Sequence, residues 1–257
     1  MRLTVLGSSA SYAGPGQACA GHYVEADGSR VLFDCGNGVL ANLGRLIDPT
    51  ELDAVFVTHS HIDHYADVYA LHSALRYAPE GPAAPLPIHL PAGLFERMKC
   101  LLSERGRAEF DEAFIPIVLT DRVPITIGGL TVTPMAVEHT NPTFALVAEA
   151  GGARLTYTSD TALCDSVRLA AAGADLLLSD ATLPEPYAGA VPHLTAMQAG
   201  ELARDAGARR LVLTHAWPTN DRAVMAEKAA RAFGAPVVVA SELDVFEVAP
   251  EAERTTE

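Results

Sequence analysis

The segment Thr58-His59-Ser60-His61-Ile62-Asp63-His64 restricts this chain more than any other stretch of it. It follows a short apolar run, 54–57, and opens a stretch with helical patterning. Four side chains with lone-pair donors fall within six residues. An extended strand alternates its side chains, so His59 and His61 share one side. Asp63 and His64 then swing round on the first helical turn. The four divide into two pairs, each suited to one of two metal ions. A polar loop with accidental histidines is the poorer reading, because unpaired imidazoles and a carboxylate buried at a strand end are costly.

Further donors stand at other predicted strand ends. His139 follows strand 130–138, Asp160 follows 154–158, and His215 follows 210–214. Singly each is weak, since an Asp ahead of a helix is usually a cap. The set carries the weight. All seven are nitrogen or oxygen donors, with no cysteine among them. Such a set suits Zn²⁺, with Mn²⁺ or Fe as alternatives.

Short apolar runs alternate with helical patterns. Strands are predicted over 2–6, 22–25, 30–34, 53–58 and 88–90, with helices over 38–47, 63–77 and 91–103. A strand-rich centre follows at 115–119, 123–127, 130–138, 144–149 and 154–158. Gly128-Gly129 and Gly151-Gly152 read as hairpin turns. Alternation then returns: helix 162–172, strand 175–179, helix 196–206, strand 210–214, helix 221–233 and strands 236–240 and 244–248. The pattern predicts an α/β (α+β) fold. Two mixed sheets pack together with helices outside, in a single domain over 1–250 with a frayed polar tail at 251–257.

Of 257 residues, 49% are apolar and 19% charged, which suits a packed core and argues against a disordered chain. Thirty-two acidic against 18 basic residues give a net charge of −14. Such a surface repels phosphate backbones and disfavours general nucleic-acid binding. No apolar run approaches the ~20 residues of a membrane span, and the first strand is too short for a signal-peptide core. Four scattered cysteines without a CxxC spacing read as reduced thiols. A cytoplasmic location is expected.

The order His59-x-His61-x-Asp63-His64, His139, Asp160 within Thr158-Ser159-Asp160-Thr161, and His215 within Leu213-Thr214-His215 resembles the metallo-β-lactamase superfamily. The opening Val5-Leu6-Gly7-Ser8 and the segment Leu32-Phe33-Asp34-Cys35-Gly36-Asn37-Gly38 fit its first strands and turn. The resemblance implies a four-layer αββα sandwich with a binuclear site at the rim between the sheets. It assigns His59, His61 and His139 to one metal, and Asp63, His64 and His215 to the second. Asp160 would bridge two Zn²⁺ ions, and a water shared by them would be the nucleophile, aimed by Asp63.

The run His193-Leu194-Thr195-Ala196-Met197-Gln198-Ala199 is similar to the histidine–Thr loop of tRNase Z-like phosphodiesterases. Thr195 and Gln198 have capping-box spacing, which fixes His193 just ahead of a helix. There it would protonate a leaving alkoxide; the plainer reading is a surface histidine among Pro184, Pro186 and Pro192. Asp180 either orients His193 or serves as a cap. Asp34 either hydrogen-bonds a ligand histidine or makes a turn beside Gly36. His22, His72 and His89 read as structural.

By resemblance, the chain is a dinuclear zinc hydrolase. The compact form is similar to the smaller bacterial phosphodiesterases, including atypical class II cyclic-nucleotide phosphodiesterases. A small phosphodiester such as a 3′,5′-cyclic nucleotide is therefore the first substrate class. True tRNase Z enzymes insert a tRNA-gripping arm, generally between the positions matching His139 and Asp160. Only 21 positions (160 − 139) separate these here, so tRNA 3′-processing is an alternative reading. A thioesterase or lactonase of the same fold is another. β-Lactam hydrolysis fits less well, since those enzymes lack the bridging Asp and usually use Cys. A non-catalytic scaffold is countered by every ligand position being filled. Relatives are often dimers, so a homodimer is expected by analogy.

Overall fold

The computed structural model describes residues 1–78 and 81–250. The predicted frayed tail 251–257 and the first two residues of the Pro-rich loop 79–91 lie outside them. The alternating apolar runs form two seven-stranded mixed sheets. The first contains β1 (Arg2–Gly7), β2 (Gly21–Ala26), β3 (Ser29–Phe33), β4 (Ala54–Phe56), β5 (Leu86–Leu90) and β6 (Phe114–Val118), with β14 (Val245–Glu247) on the outer edge of β1. The second holds β7 (Ile125–Ile127), β8 (Leu130–Val137), β9 (Thr143–Ala150), β10 (Ala153–Tyr157), β11 (Leu176–Asp180), β12 (Leu211–Thr214) and β13 (Val238–Val239), in spatial sequence from β7 to β13.

Successive side chains point to opposite faces, so each strand feeds two cores. Leu3, Val5, Phe33 and Phe56 face Leu146, Leu155 and Leu178 between the sheets. On the other face of the first sheet, Leu6, Leu32 and Val55 pack against α1 (Val39–Leu43), α2 (Val68–Arg76), α3 (Leu94–Lys99) and α4 (Glu104–Ala113). Leu177, Leu211 and Leu213 cover α5 (Asp165–Ala171), α6 (Ala196–Asp205) and α7 (Arg222–Phe233) on the far side. The layers are helix, sheet, sheet, helix, as expected.

Both glycine pairs turn hairpins, joining β7 to β8 and β9 to β10. Strands β10, β11 and β12 run parallel. Their C-terminal ends therefore share one rim, where open parallel sheets place ligands. Asp160, Asp180 and His215 follow or end these strands.

Several helices are shorter than the sequence pattern predicts. Over 63–77, a 3₁₀ turn (Ile62–His64) is followed by a break at Tyr65, φ −144°, before α2 begins. The break frees His64 and Asp63 from helical spacing. Helix 38–47 shrinks to α1, starting after Gly38 in the left-handed region and ending at Gly44. Helix 91–103 contracts to α3, and Ser103 caps α4, which the pattern does not predict. Only Phe110 and Ala113 of α4 are buried, so it has almost no apolar period to read. Strand 236–240 is reduced to β13.

Gly36 brings the turn after β3 against the metal-donor segment. A Cβ there would lie 2.0 Å from the Asp63 carbonyl oxygen and 2.8 Å from Cys19 Cβ. Gly36→Ala is expected to cost about 1–3 kcal/mol of overpacking, read by chemical denaturation. A midpoint equal to the native one would show that this approach is slack.

Candidate metal centre

All seven expected donors converge. Four strand ends deliver them: β4 leads to His59, β8 to His139, β10 to Asp160 and β12 to His215. Among the described residues three groups have donor atoms within 4.8 Å of one another: His59/His61/His139/Asp160, Asp63/His64/His215 and Asp160/His193/His215. His61 Nδ1 lies 3.1 Å from His59 Nε2 and 3.2 Å from His139 Nε2. His64 Nε2 lies 3.0 Å from His215 Nε2, which lies 3.3 Å from Asp63 Oδ2. Asp160 stands between the groups. Its Oδ2 is 3.4 Å from His59 Nε2, and its Oδ1 is 3.4 Å from His64 Nε2.

The outer nitrogens are held as well. Asp34 Oδ2 accepts from His64 Nδ1 at 2.8 Å, from the Tyr157 hydroxyl at 3.0 Å and from Thr58 Oγ1 at 3.0 Å, while Oδ1 accepts from the Thr58 amide. Asp34 thus orients a donor histidine, although it also turns the chain, at φ +59°. His139 Nδ1 donates to the Pro192 carbonyl at 2.9 Å. Asn141 Nδ2 and Thr140 Oγ1 lie 2.9 and 3.2 Å from His61 Nε2. Ser11 donates its amide to Asp63 Oδ2 at 2.6 Å. Such outer hydrogen bonds fix the ring orientation and tautomer of a ligand.

His193 joins the cluster from the loop before α6. The Thr195/Gln198 capping box is present and starts α6 at Ala196. Nδ1 of His193 donates to Asp180 Oδ2 at 2.9 Å and lies 4.0 Å from Asp160 Oδ2. Asp180 fills both roles left open by its sequence. It holds His193, and its Oδ1 accepts from the Thr182 amide and hydroxyl at 2.9 and 2.6 Å. His72 and His89 are buried outside the donor groups, and His22 is buried with its ring 4.7 Å from that of Tyr157, the partner of Asp34.

Sequence reasoning missed Ser11, Tyr157 and Thr182. Tyr157 reads as an ordinary core residue of β10, and Ser11 lies 52 residues from its partner. Asn141 was legible only by its nearness to His139.

Strain gathers here. Of seven non-glycine residues with positive φ among the described residues, Ser11, Asp34 and Ser159 touch the donors or their partners and His215 is itself a donor. Such backbone persists where its surroundings over-determine it.

Charge is dense and dry. Burial pulls the His59 pKa down to about 4. Burial opposes protonation of His215 too, but the charge of Asp160 and bonds to Asp180 and Asp63 lift it to about 10. Burial also opposes His64, and the charges of Asp160 and Asp34 raise it well above its usual value. Burial would push Asp160 up, yet His215, His64 and His59 hold it well below the carboxylate range.

The donors fit a pair of cations. All are imidazole or carboxylate, and buried Asp160 Oδ1 has no hydrogen-bond partner. A buried oxygen left unpaired is costly unless an ion satisfies it. The cluster is able to bind metal.

Comparison with known proteins agrees with the geometry. The model of the family described as "Beta-lactamase superfamily domain" matches residues 29–216. The chain is 34% identical over 254 residues to the uncharacterized protein Rv1339 of Mycobacterium tuberculosis, covering 96% of this chain and 92% of that one. It is 30% identical to a Ribonuclease Z of Haloarcula marismortui, covering 84% and 86%. The crystal structure of the metallo-beta-lactamase fold protein YhfI from Bacillus subtilis superposes with a TM-score of 0.85 at 26% identity, over 95% and 98% of the two chains. On a family match that spans well over half of its length, the chain belongs to the beta-lactamase superfamily and is a metal-dependent hydrolase.

Proposed function

We propose that this hydrolase is a dinuclear zinc phosphodiesterase acting on a small phosphodiester such as a 3′,5′-cyclic nucleotide. The observation that supports this most is His193, clamped by Asp180 at 2.9 Å beside Asp160. An alkoxide leaving group needs a proton in flight, and a held imidazole can deliver it. His59, His61 and His139 would hold one ion and Asp63, His64 and His215 the other, with Asp160 shared between them. Two ions held there would supply an activated water and neutralise charge on the phosphoryl oxygens.

The chain's own groups do the rest. Asp63, fixed by the Ser11 amide, accepts a hydrogen bond from the attacking water and aims it. His193 gives its proton to the departing oxygen. Burial would lower the His193 pKa, but the charge and hydrogen bond of Asp180 raise it above its ordinary value. Asp180 therefore favours its acid form.

Relatives named Ribonuclease Z, at 25–31% identity, favour a second reading, tRNA 3′-processing. Against it, the stretch between His139 and Asp160 is taken up by the β9–β10 hairpin, and the net charge is −14. A panel of 3′,5′-cyclic nucleotides, precursor tRNA, thioesters and lactones on zinc-loaded protein separates these readings. Cleavage of carboxylic esters alone would overturn the phosphodiesterase proposal.

Asp63→Ala is expected to lose metal and rate together, read by metal analysis beside kinetics. His193→Ala is expected to keep its metal and fold but lower kcat on a cyclic nucleotide roughly 10²–10⁴-fold. On bis(p-nitrophenyl) phosphate the loss should be far smaller, because p-nitrophenolate leaves without a proton. Equal losses on both substrates would remove the acid role. The pH profile has a definite sign. The acid must be protonated, so kcat falls as pH rises through the raised His193 pKa. Asp180→Asn removes the raising charge, and the fall should begin at lower pH. A profile unmoved by Asp180→Asn would mean that another group titrates.

A further inference from the structure

We infer that Glu242 is a positioning residue for one half of the metal centre: it is the foot of loop 8–20, and that loop holds Asp63 and His215. This goes beyond the reading above, and it rests on the assignment of Asp63, His64 and His215 to one cation.

Loop 8–20 joins β1 to β2 at the rim. Ser8, Ser9 and Ala18 at its two ends are buried, while Ser11 and Tyr12 at its tip are exposed. The ends meet, because the Ser8 and Ser9 amides both donate to the Ala18 carbonyl, at 3.1 and 3.0 Å. The chain then runs beside the segment that follows β12. Ala10 donates its amide to the Ala216 carbonyl, and Ala216 donates its own to the Ser8 carbonyl, each at 3.0 Å. Ala216 directly follows His215. One residue beyond Ala10, the Ser11 amide reaches Asp63 Oδ2 at 2.6 Å. The loop therefore fixes two of the three donors of one group. Among the described residues it makes no hydrogen bond to His59, His61 or His139.

Glu242 lies in the turn between β13 and β14. Its Oε1 accepts from the Ser8 amide and hydroxyl, at 3.3 Å each, and from the Ala18 amide at 3.1 Å. Three donors from both ends of the loop converge on one carboxylate oxygen, and bonds to an ionised acceptor are the stronger kind. The Ser8 hydroxyl also accepts from Arg222 Nη2 at 3.2 Å. The turn is itself tied to β1. Leu243 donates to the Val5 carbonyl at 2.7 Å, and Val5 donates to the Asp244 carbonyl at 2.9 Å. Leu243, Ser11 and His215 have φ of +69°, +62° and +53°. Strained backbone thus recurs at the foot, the tip and the donor along one path. Such residues keep their conformation only while their surroundings hold them. Without the foot, Ser11 can relax and withdraw the amide that fixes Asp63.

Substitutions at Glu242 separate position from charge. Glu242→Gln keeps an oxygen in place and drops the charge. Glu242→Asp keeps the charge and withdraws the oxygen by one methylene. Glu242→Ala removes both. Glu247→Ala, which loses an exposed ion pair with Arg2, is the control. Hydrogen–deuterium exchange on metal-free protein reads the brace directly. Amides of 8–20 should exchange roughly tenfold faster in Glu242→Ala and Glu242→Asp, with those of β10 to β12 unchanged. Chelator competition reads the consequence. The same two variants should hold one zinc ion as the native protein does and a second about tenfold more weakly. Glu242→Gln should lie closer to native than Glu242→Asp in both measurements, and Glu247→Ala should match native. A Gln variant at least as damaged as the Asp variant, exchange in 8–20 unaltered by Glu242→Ala, or equal weakening of both ions overturns the inference. Should Glu242→Ala fail to fold, the order of Asp and Gln decides. Native protein that binds fewer than two zinc ions counts against the two-cation reading, and exchange then decides the brace by itself.

Discussion

Asp160 is a carboxylate in a place with almost no water. Its side chain is 2% exposed, and one of its oxygens has no hydrogen-bond partner. In such surroundings a charge is tolerated only beside opposite charge, because the loss of hydration exceeds what ordinary contacts return. The architecture around it answers that demand. Imidazoles that follow three strand ends, those of β4, β8 and β12, face its two oxygens, and each of them is held by a further partner. The carboxylates of Asp160 and Asp34 favour the charged form of His64, and that of Asp160 favours the charged form of His215. A nitrogen that held a cation would have to be free of its proton.

Rigidity for such a cluster comes from the sheets. Parallel strands β10, β11 and β12 end at one level, so Asp160, Asp180 and His215 arrive together without long loops. The inter-sheet core fixes the distance between this edge and β4, which delivers His59. The strained backbone at Asp34, Ser159 and His215 is sustained by this packing. It buys orientation at the one place where a few tenths of an ångström matter.

The candidate donors were legible because they crowd into one segment and recur at strand ends. A four-donor run in six residues has few alternative explanations. The layer order was legible from apolar period. Less so were the helices: α4 has too few apolar positions to show a stripe, and the 63–77 helix breaks at Tyr65 where the donors need freedom from helical spacing. The partners of the donors were hardly legible. Ser11 meets Asp63 across 52 positions, and Tyr157 reaches Asp34 across 123. Nothing in a strand residue's type says that its hydroxyl will end on a distant carboxylate. Asp180 shows an intermediate case, since cap and imidazole partner look alike in one dimension.

The bond from His139 to the Pro192 carbonyl couples two events that a diagram would draw separately. An imidazole that lends one nitrogen to a cation must keep its hydrogen on the other. For His139 that second nitrogen grips the peptide just ahead of His193. The tautomer that receives an ion is thus also the one that fastens the proton donor's loop.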